Sequence, residues 1–453
     1  MTTYVNASCQ CELNAFRVTF DTTFLPISNE ICHCSTCRHS SGQMALCHVA
    51  IEGVPLNRAN GLSVHSSRSS SRSGFRNIDD IERSSSRPRK ETGIHHHPSP
   101  TLALNAGCIA RPILEVGEEH EMPYDLGDMT AYKTSPDVTR YFCTSCSAQL
   151  FWVHHMDDGD VWKVAVGVLD RTEGVVKRGI HIWVGDTLDG GVADQLRVIG
   201  GIKMPRYREI AGGEELVLGW RADCFTRTYE SSAEPTSSGG QLKAFCHCRT
   251  ISFVVSRPSE VSLFPSAAYP DLLYPYGVSR MSEIVNSNDE KWWLRPKLSL
   301  HPTKYLAGHC MCRFCRQCSG FEIQSWAFIP LANILAPGST NSLCLEVDEK
   351  RPAGLKQFIS SPGEYKEFCG TCGATVFSWK AGTPDLINIS VGLLDEENSG
   401  ARAEDWLEWH RERVSHQEKA LSPSLAKALQ EGIKHFWNQI DSTFLVDPTD
   451  ALT

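Results

Sequence analysis

The sequence predicts a mainly β protein made of two tandem domains of small antiparallel sheets, closed by a helical C-terminal segment. Three observations predict it: a cysteine pattern that occurs twice in the same order, short runs of β-branched and aromatic residues bounded by turn residues, and a three-to-four-residue apolar period near the end of the chain.

The cysteines repeat as a CxC pair, a CxCxxC triplet and a CxxC pair. In the first copy these are Cys9 and Cys11, then Cys32, Cys34 and Cys37, then Cys143 and Cys146. In the second they are Cys246 and Cys248, then Cys310, Cys312 and Cys315, then Cys369 and Cys372. The flanks repeat as well: YFCTSCSAQLFW leads to VWKVAVGVLD, and EFCGTCGATVFSW leads to LINISVGLLD. Identity that extends beyond the cysteines marks a duplication. Runs such as FRVTF, MALCHVAI, VWKVAVGVL, ISFVV, SWAFIPL and LINISVGLL supply the strands. AEDWLEWHRERV and SPSLAKALQEGIKHFWNQI carry the helical period, the latter behind a cap at Ser422 or Ser424.

The repeat divides the chain into a first domain at 1–200, a linker at 201–240 and a second domain at 241–440. TYESSAEPTSSGGQ has linker composition and puts the boundary near Ser238. Cys37 and Cys143 lie 106 positions apart, against 54 for Cys315 and Cys369. The surplus falls at 58–106, where SSRSSSRSGF, RSSSRPRKE and IHHHPSP are Ser/Arg-rich and aperiodic. This predicts a disordered insert, with a retained intron as the alternative. The second copy has its own expansion, with 62 positions from Cys248 to Cys310 against 21 from Cys11 to Cys32. Its YPDLLYPYG and EKWWLRPKLSL are rich in aromatics, so Trp292 and Trp293 are expected in a core.

A formal net charge of -9 over 453 residues excludes broad electrostatic capture of nucleic acid, so a small molecule or a protein is the expected partner. No apolar run has membrane-spanning length, and MTTYVNASCQCELNAF lacks the features of a secretory leader. The cytoplasm is the expected location, with the nucleus as alternative. In such a reducing setting, 19 cysteines at short spacings point to metal rather than to disulfides.

A structural zinc ion takes four tetrahedral ligands, commonly two short cysteine pairs joined by the fold. CxC and CxxC supply two pairs per copy. Cys9, Cys11, Cys143 and Cys146 are therefore assigned to one closed site, and Cys246, Cys248, Cys369 and Cys372 to another. The triplets Cys32, Cys34, Cys37 and Cys310, Cys312, Cys315 leave a metal one ligand short, which is the arrangement of a catalytic site. This gives up to two zinc ions per domain. The alternatives for a triplet are free thiols, a disulfide, or closure by a fourth protein ligand, for which Cys318 and His309 are the candidates in the second copy. Arg38 and Arg316, directly after the triplets, are either surface pairs or holders of a substrate carboxylate. Cys47, Cys108, Cys224 and Cys344 read as inert thiols, and His95, His96 and His97 as adventitious metal binders.

CHCSTCRHSSG and CMCRFCRQCSGFEI, each between an upstream CxC and a downstream FCxxC, resemble the glutathione-dependent formaldehyde-activating enzyme and centromere protein V family. HIWVGDTLDGG in the first copy resembles it too, and the second copy's YLAGHCMCRFCRQCSGFEIQSWAFIP and ARAEDWLEWHRERVSHQEKA resemble a tandem form typical of fungal sequences. The resemblance implies a β-tent fold, a structural zinc on the CxC and CxxC cysteines, and a catalytic zinc on the CxCxxC cysteines. It also implies carbon–sulfur lyase activity on S-(hydroxymethyl)glutathione, the adduct of formaldehyde and glutathione, and hence a small thiol such as glutathione as partner. A non-catalytic zinc scaffold for protein partners, or one active and one degenerate copy, is the alternative.

Overall fold

The computed structural model describes residues 1–58, 122–223, 240–346 and 350–444. The Ser/Arg-rich segment with His95, His96, His97 and Cys108 lies outside the described residues, as do Cys224 and most of the Ser/Pro/Gly linker.

Both copies are built the same way. In the first, β1 (Thr2–Ser8), β2 (Ala15–Asp21), β3 (Ile27–Cys32), β4 (Leu46–Ala50), β5 (Glu52–Asn57), β6 (Met129–Ser135), β7 (Val138–Cys143), β8 (Gln149–His154), β9 (Val161–Ala165) and β10 (Val176–Ile182) form two sheets. Their orders are β1-β2-β5 and β10-β3-β4-β9-β8-β7-β6. A two-residue hairpin, β11 (Val198–Ile199) and β12 (Ile202–Lys203), follows. The second copy contains β13 (Leu242–Phe245), β14 (Ser252–Val255), β15 (Leu294–Arg295), β16 (Lys304–Cys310), β17 (Gln324–Pro330), β18 (Ile334–Leu335), β19 (Leu355–Ser361), β20 (Glu364–Cys369), β21 (Thr375–Lys380), β22 (Thr383–Ser390) and β23 (Leu407–Trp409). Its sheets run β13-β14-β18 and β15-β16-β17-β22-β21-β20-β19, with β23 beside β16. The pairing is antiparallel except at one place in each large sheet, where β10 joins β3 and β23 joins β16 in parallel.

Between β3 and β4 lies the short helix α1 (Ser35–Ser41), and its counterpart α2 (Arg313–Ser319) lies between β16 and β17. Each ends on a glycine in the left-handed region, Gly42 (φ 79°) and Gly320 (φ 74°), where a side chain would be strained. The helix α3 (Pro423–Phe444) closes the chain. Of the two candidate caps, Ser422 is used: its Oγ accepts from Leu425 N at 3.3 Å. AEDWLEWHRERV is not helical. Its centre is the strand β23, and pairing with β16 buries Trp406, Leu407 and Trp409, so burial in the sheet overrides the helical period.

One apolar core cluster runs through both copies. Trp292 and Trp293 belong to it, each bonding a backbone carbonyl through its indole nitrogen, so the expansion of the second copy is packed as its aromatics predict. No helix among the described residues is long and apolar enough to cross a membrane.

The copies interlock through their triplet helices. Gly167 N donates to Gly320 O at 2.9 Å, and Gly392 N donates to Gly42 O at 3.2 Å. Neither Gly167 nor Gly392 has room for a Cβ, which would lie 2.4 Å from the Gly320 carbonyl carbon and 2.2 Å from the Gln43 oxygen. Gln43 Nε2 donates to Gln324 Oε1 at 2.7 Å across the same seam.

Candidate metal centres

The fold gathers each set of four cysteines. Cys9 and Cys11 lie in the turn between β1 and β2, while Cys143 ends β7 and Cys146 lies in the turn to β8. All four sulfurs lie within 4.8 Å of one another, as do those of Cys246, Cys248, Cys369 and Cys372. The sulfurs of Cys9 and Cys11 are 3.4 Å apart and those of Cys11 and Cys143 3.6 Å apart. In the second cluster they are 3.5 Å for Cys246–Cys248 and for Cys248–Cys369. Zinc–sulfur bonds of about 2.3 Å in a tetrahedron put sulfurs about 3.8 Å apart, whereas a disulfide needs about 2.05 Å. Backbone amides steady the thiolates, Asn14 N donating to Cys9 Sγ and Ile251 N to Cys246 Sγ, both at 3.3 Å.

Each triplet also converges to within 4.8 Å. Cys32 ends β3, and Cys34 caps α1 with its sulfur accepting from Cys37 N at 3.3 Å. The second copy repeats this, Cys312 Sγ accepting from Cys315 N at 3.2 Å. The candidates for a fourth ligand stay out. Among the described residues Cys318 does not join the cluster, and burial pushes its thiol up to about 11. His309 has both ring nitrogens engaged, by Ser325 Oγ at 2.9 Å and by Gln195 Oε1 of the first copy at 2.8 Å.

A buried cation stands at each triplet that the spacing of the cysteines did not announce. Arg140 Nη2 donates to Cys37 Sγ at 3.2 Å, and Lys366 Nζ donates to Cys315 Sγ at 3.9 Å. The two residues are equivalent, each three positions before the first cysteine of its CxxC pair in RYFCTSC and KEFCGTC. Burial alone would favour the neutral lysine, but the thiols of Cys315, Cys318, Cys312 and Cys310 outweigh it and hold Lys366 above its ordinary value. Arg140 is treated the same way by Cys37, Cys34 and Cys32. Reciprocally, hydrogen bonds from Cys32 and Cys34 hold Cys37 well below the usual thiol range against burial, with Arg140 adding to the effect. Cys315 is lowered by Cys310 and Cys312 against burial, with Lys366 adding.

This donor set fits a divalent metal. Three thiolates around a divalent ion leave one negative charge, which the buried cation neutralises. The Nε and Nη1 atoms of Arg140 are buried without partners beside these sulfurs.

Arg38 and Arg316 neither lie on the surface nor point at the sulfurs. Arg38 is fully buried and bonds the His33 carbonyl at 3.2 Å, the Asp186 carbonyl at 3.2 Å and Glu396 of the second copy at 2.8 Å. Arg316 bonds the carbonyls of Gly167 and Leu169 in the first copy. Both pin one copy to the other. Cys47 is a buried thiol pushed up to about 11 by burial, and Cys344 is half-buried.

The clusters cross-support one another. The CxC turn of the second copy lies on α1, with His39 Nδ1 bonding Phe245 O at 2.7 Å and His247 N donating to His39 O at 2.9 Å. At the other triplet, Gln317 Nε2 of α2 donates to Ser8 Oγ at 3.2 Å, beside Cys9. The described residues bring together one further trio, Asp271, His416 and Glu418. Arg413 Nη2 already lies 3.1 Å from both carboxylates, so a cation is supplied there by the chain.

A cavity of about 340 Å³ opens on the second triplet. Cys310, Cys312, Cys315 and Lys366 line it together with aromatic side chains and with Pro270, Asp271, Leu272 and Tyr276 of the expansion.

Fold and clusters together define a class: a duplicated, mainly β protein with four thiolate clusters that could hold metal ions. Within that class, the family described as glutathione-dependent formaldehyde-activating enzyme matches residues 4–77 and 296–409, one segment in each copy. The first match stops inside the Ser/Arg-rich insert, and β6 to β10 beyond it repeat the order of β19 to β23. No curated protein and no solved structure matched the chain.

Proposed function

We propose that the chain is a zinc-dependent carbon–sulfur lyase-type enzyme acting on thiol adducts such as S-(hydroxymethyl)glutathione, the adduct of formaldehyde and glutathione. The observation that carries this reading is the three-sulfur cluster at Cys310, Cys312 and Cys315, held beside a buried cation and open to a cavity. On this reading Cys32, Cys34, Cys37, Cys310, Cys312 and Cys315 hold catalytic zinc. Cys9, Cys11, Cys143, Cys146, Cys246, Cys248, Cys369 and Cys372 hold structural zinc, for four ions per chain. Zinc with one free position lowers the pKa of an incoming thiol and polarises a carbonyl oxygen.

The chain's own residues complete the chemistry. Lys366 and Arg140 keep the third sulfur of each triplet ionised and fix its direction. In the forward direction the thiol sulfur bonds the aldehyde carbon, the carbonyl electron pair moves to oxygen, and the thiol proton ends on that oxygen. No oxidant or reductant is needed. Glu364 and His416 line the cavity and can exchange that proton.

A second reading, a zinc scaffold for protein partners, is favoured by one observation. Phe264, Val278, Leu298 and Leu300 of the expansion are 76%, 83%, 84% and 92% exposed. The test is the rate at which formaldehyde and glutathione equilibrate in the presence of the zinc-loaded chain, followed by exchange NMR. Acceleration that falls in Cys34→Ser and Cys312→Ser, with zinc dropping from four ions to three in each, is the expected result. A fully loaded chain that leaves the rate unchanged and does not bind glutathione refutes the enzyme.

A further inference from the structure

The common register of the two large sheets allows the walls of the two triplet sites to be compared residue by residue. Val49 faces Val164 as Ala327 faces Ile389, and Met129 faces Cys143 as Leu355 faces Cys369. On this register Trp326 stands where the first copy has His48, and Phe328 where it has Ala50. Trp379 replaces Val153, and Phe314, two residues after the middle cysteine of its triplet, replaces Thr36. All four aromatic side chains line the cavity at the second triplet. A fifth, Tyr276, comes from the expansion, where the first copy has 21 positions in place of 62.

These rings are held in place from outside the cavity. Phe328 packs on Trp292 with centroids 5.1 Å apart, and Trp379 stacks on Tyr365 at 4.2 Å. Lys366 Nζ lies 4.6 Å from the Phe314 centroid and 5.9 Å from that of Trp326, which accounts for two of the rings and not for Phe328 or Trp379.

We propose that the second site takes the adduct of a thiol with an aldehyde that carries an aromatic or bulky apolar group. The proposal rests on the lyase reading above and assigns the substrate class of one of its two sites. The step balances as before: R′SH and RCHO give R′S–CH(OH)R, with the new carbon–sulfur bond formed by the sulfur lone pair and the thiol proton ending on oxygen. The aromatic walls recognise R. The first copy has Thr36, His48, Ala50 and Val153 in place of four of these rings, and gains one, Trp152, where the second copy has Ser378.

The experiment measures binding first, so that it is read without turnover. Zinc-loaded full-length chain is titrated calorimetrically with S-benzylglutathione and with S-methylglutathione, two thioethers that have no hydroxyl to release. The benzyl compound is expected to bind at least about tenfold more tightly, because a single methylene in an apolar pocket already contributes roughly 10-fold or more. Trp326→His and Phe314→Thr install the first copy's residues, and each should reduce that preference severalfold; Phe314 is only half-buried, so its replacement leaves the core intact. Equal affinities, no saturable binding of the benzyl compound, or a preference unchanged in both variants overturns the proposal. Rates with phenylacetaldehyde and formaldehyde, each with glutathione, are then compared in Cys312→Ser and Cys34→Ser. Cys312→Ser should depress the phenylacetaldehyde rate more than the formaldehyde rate, and Cys34→Ser the reverse; the opposite pattern also overturns it. Selective benzyl binding with neither aldehyde accelerated would refute the lyase chemistry and leave the pocket assignment standing.

Discussion

Replacing Lys366 with methionine keeps the length of the side chain and removes its charge, which makes it the sharpest probe of the second triplet. Lys366 Nζ lies 3.9 Å from Cys315 Sγ. Two unit charges at that distance attract by about 4 kcal/mol at an effective dielectric of about 20. Much of that gross attraction is offset by the desolvation of a fully buried ammonium, and net hydrogen bonds to charged groups are worth about 1.5–3 kcal/mol. The expected loss of zinc affinity at this triplet is therefore roughly 10- to 100-fold, the range seen when an outer-shell partner of a metal ligand is lost. Chelator competition in a Cys34→Ser background, where the first triplet no longer competes, reads the affinity directly. Lys366→Arg should recover most of it, because the first copy uses Arg140 in the same place. The urea midpoint of the metal-free protein should not fall in Lys366→Met, since without metal the thiols can take up protons and the buried charge is no longer needed. Zinc affinity in Lys366→Met that stays within about threefold of the parent, against the 10- to 100-fold expected, would refute the charge-balance argument.

Gly392→Ala and Gly167→Ala drive a methyl group into the backbone across the seam, and each should cost about 1–3 kcal/mol or more, read as a lower urea midpoint. Cys248→Ser should weaken metal binding at the first triplet as well as at its own cluster, because Phe245 and His247 hold His39 on α1; cobalt absorption at each site measures this. Burial, helped by Arg295, pushes His410 down to about 4, so the folded state binds fewer protons than the unfolded chain, whose histidines titrate near 6.5. Its contribution is complete above pH 6.5 and is lost as pH falls from about 6.5 to about 4. His410→Gln should flatten the acid slope of stability by about 1–2 kcal/mol over that window, as measured by urea unfolding at several pH values. Prolonged treatment with a strong zinc chelator at neutral pH should lower the melting temperature markedly, since the two four-sulfur clusters join strands that are distant in sequence.

The cysteine clusters were legible because chelation depends on spacing, and CxC with CxxC repeats it in both copies. The strands around them were legible for the same reason that β-branched runs between turns usually are. Arg140 and Lys366 were not, because a cation in a strand ordinarily faces water; only superposing RYFCTSC on KEFCGTC brings them to one position. Trp406, Leu407 and Trp409 have a helical period, yet the parallel edge offered by β16 buried them better as a strand. Arg38 and Arg316 follow the triplets so closely that they invited a role at the metal. Glu396, which pairs with Arg38, and the carbonyls of Gly167 and Leu169, which pair with Arg316, lie in the opposite copies, and sequence carries no trace of such pairings. The seam itself depends on glycine backbones meeting without side chains, Gly167 on Gly320 and Gly392 on Gly42, and a glycine leaves little signature in a sequence.

The grip of each copy on the other's triplet helix has a consequence for biosynthesis. When Ile182 has left the ribosome, all ten strands of the first half exist, but Arg38 still lacks Glu396, and Gly42 lacks Gly392. About 200 further residues must be made before those partners appear, which at roughly 5–20 residues per second takes roughly 10–40 s. Over that interval the nascent chain carries a buried-type arginine without its Glu396 ion pair and an uncovered helix, the kind of surface that chaperones hold and that aggregation exploits.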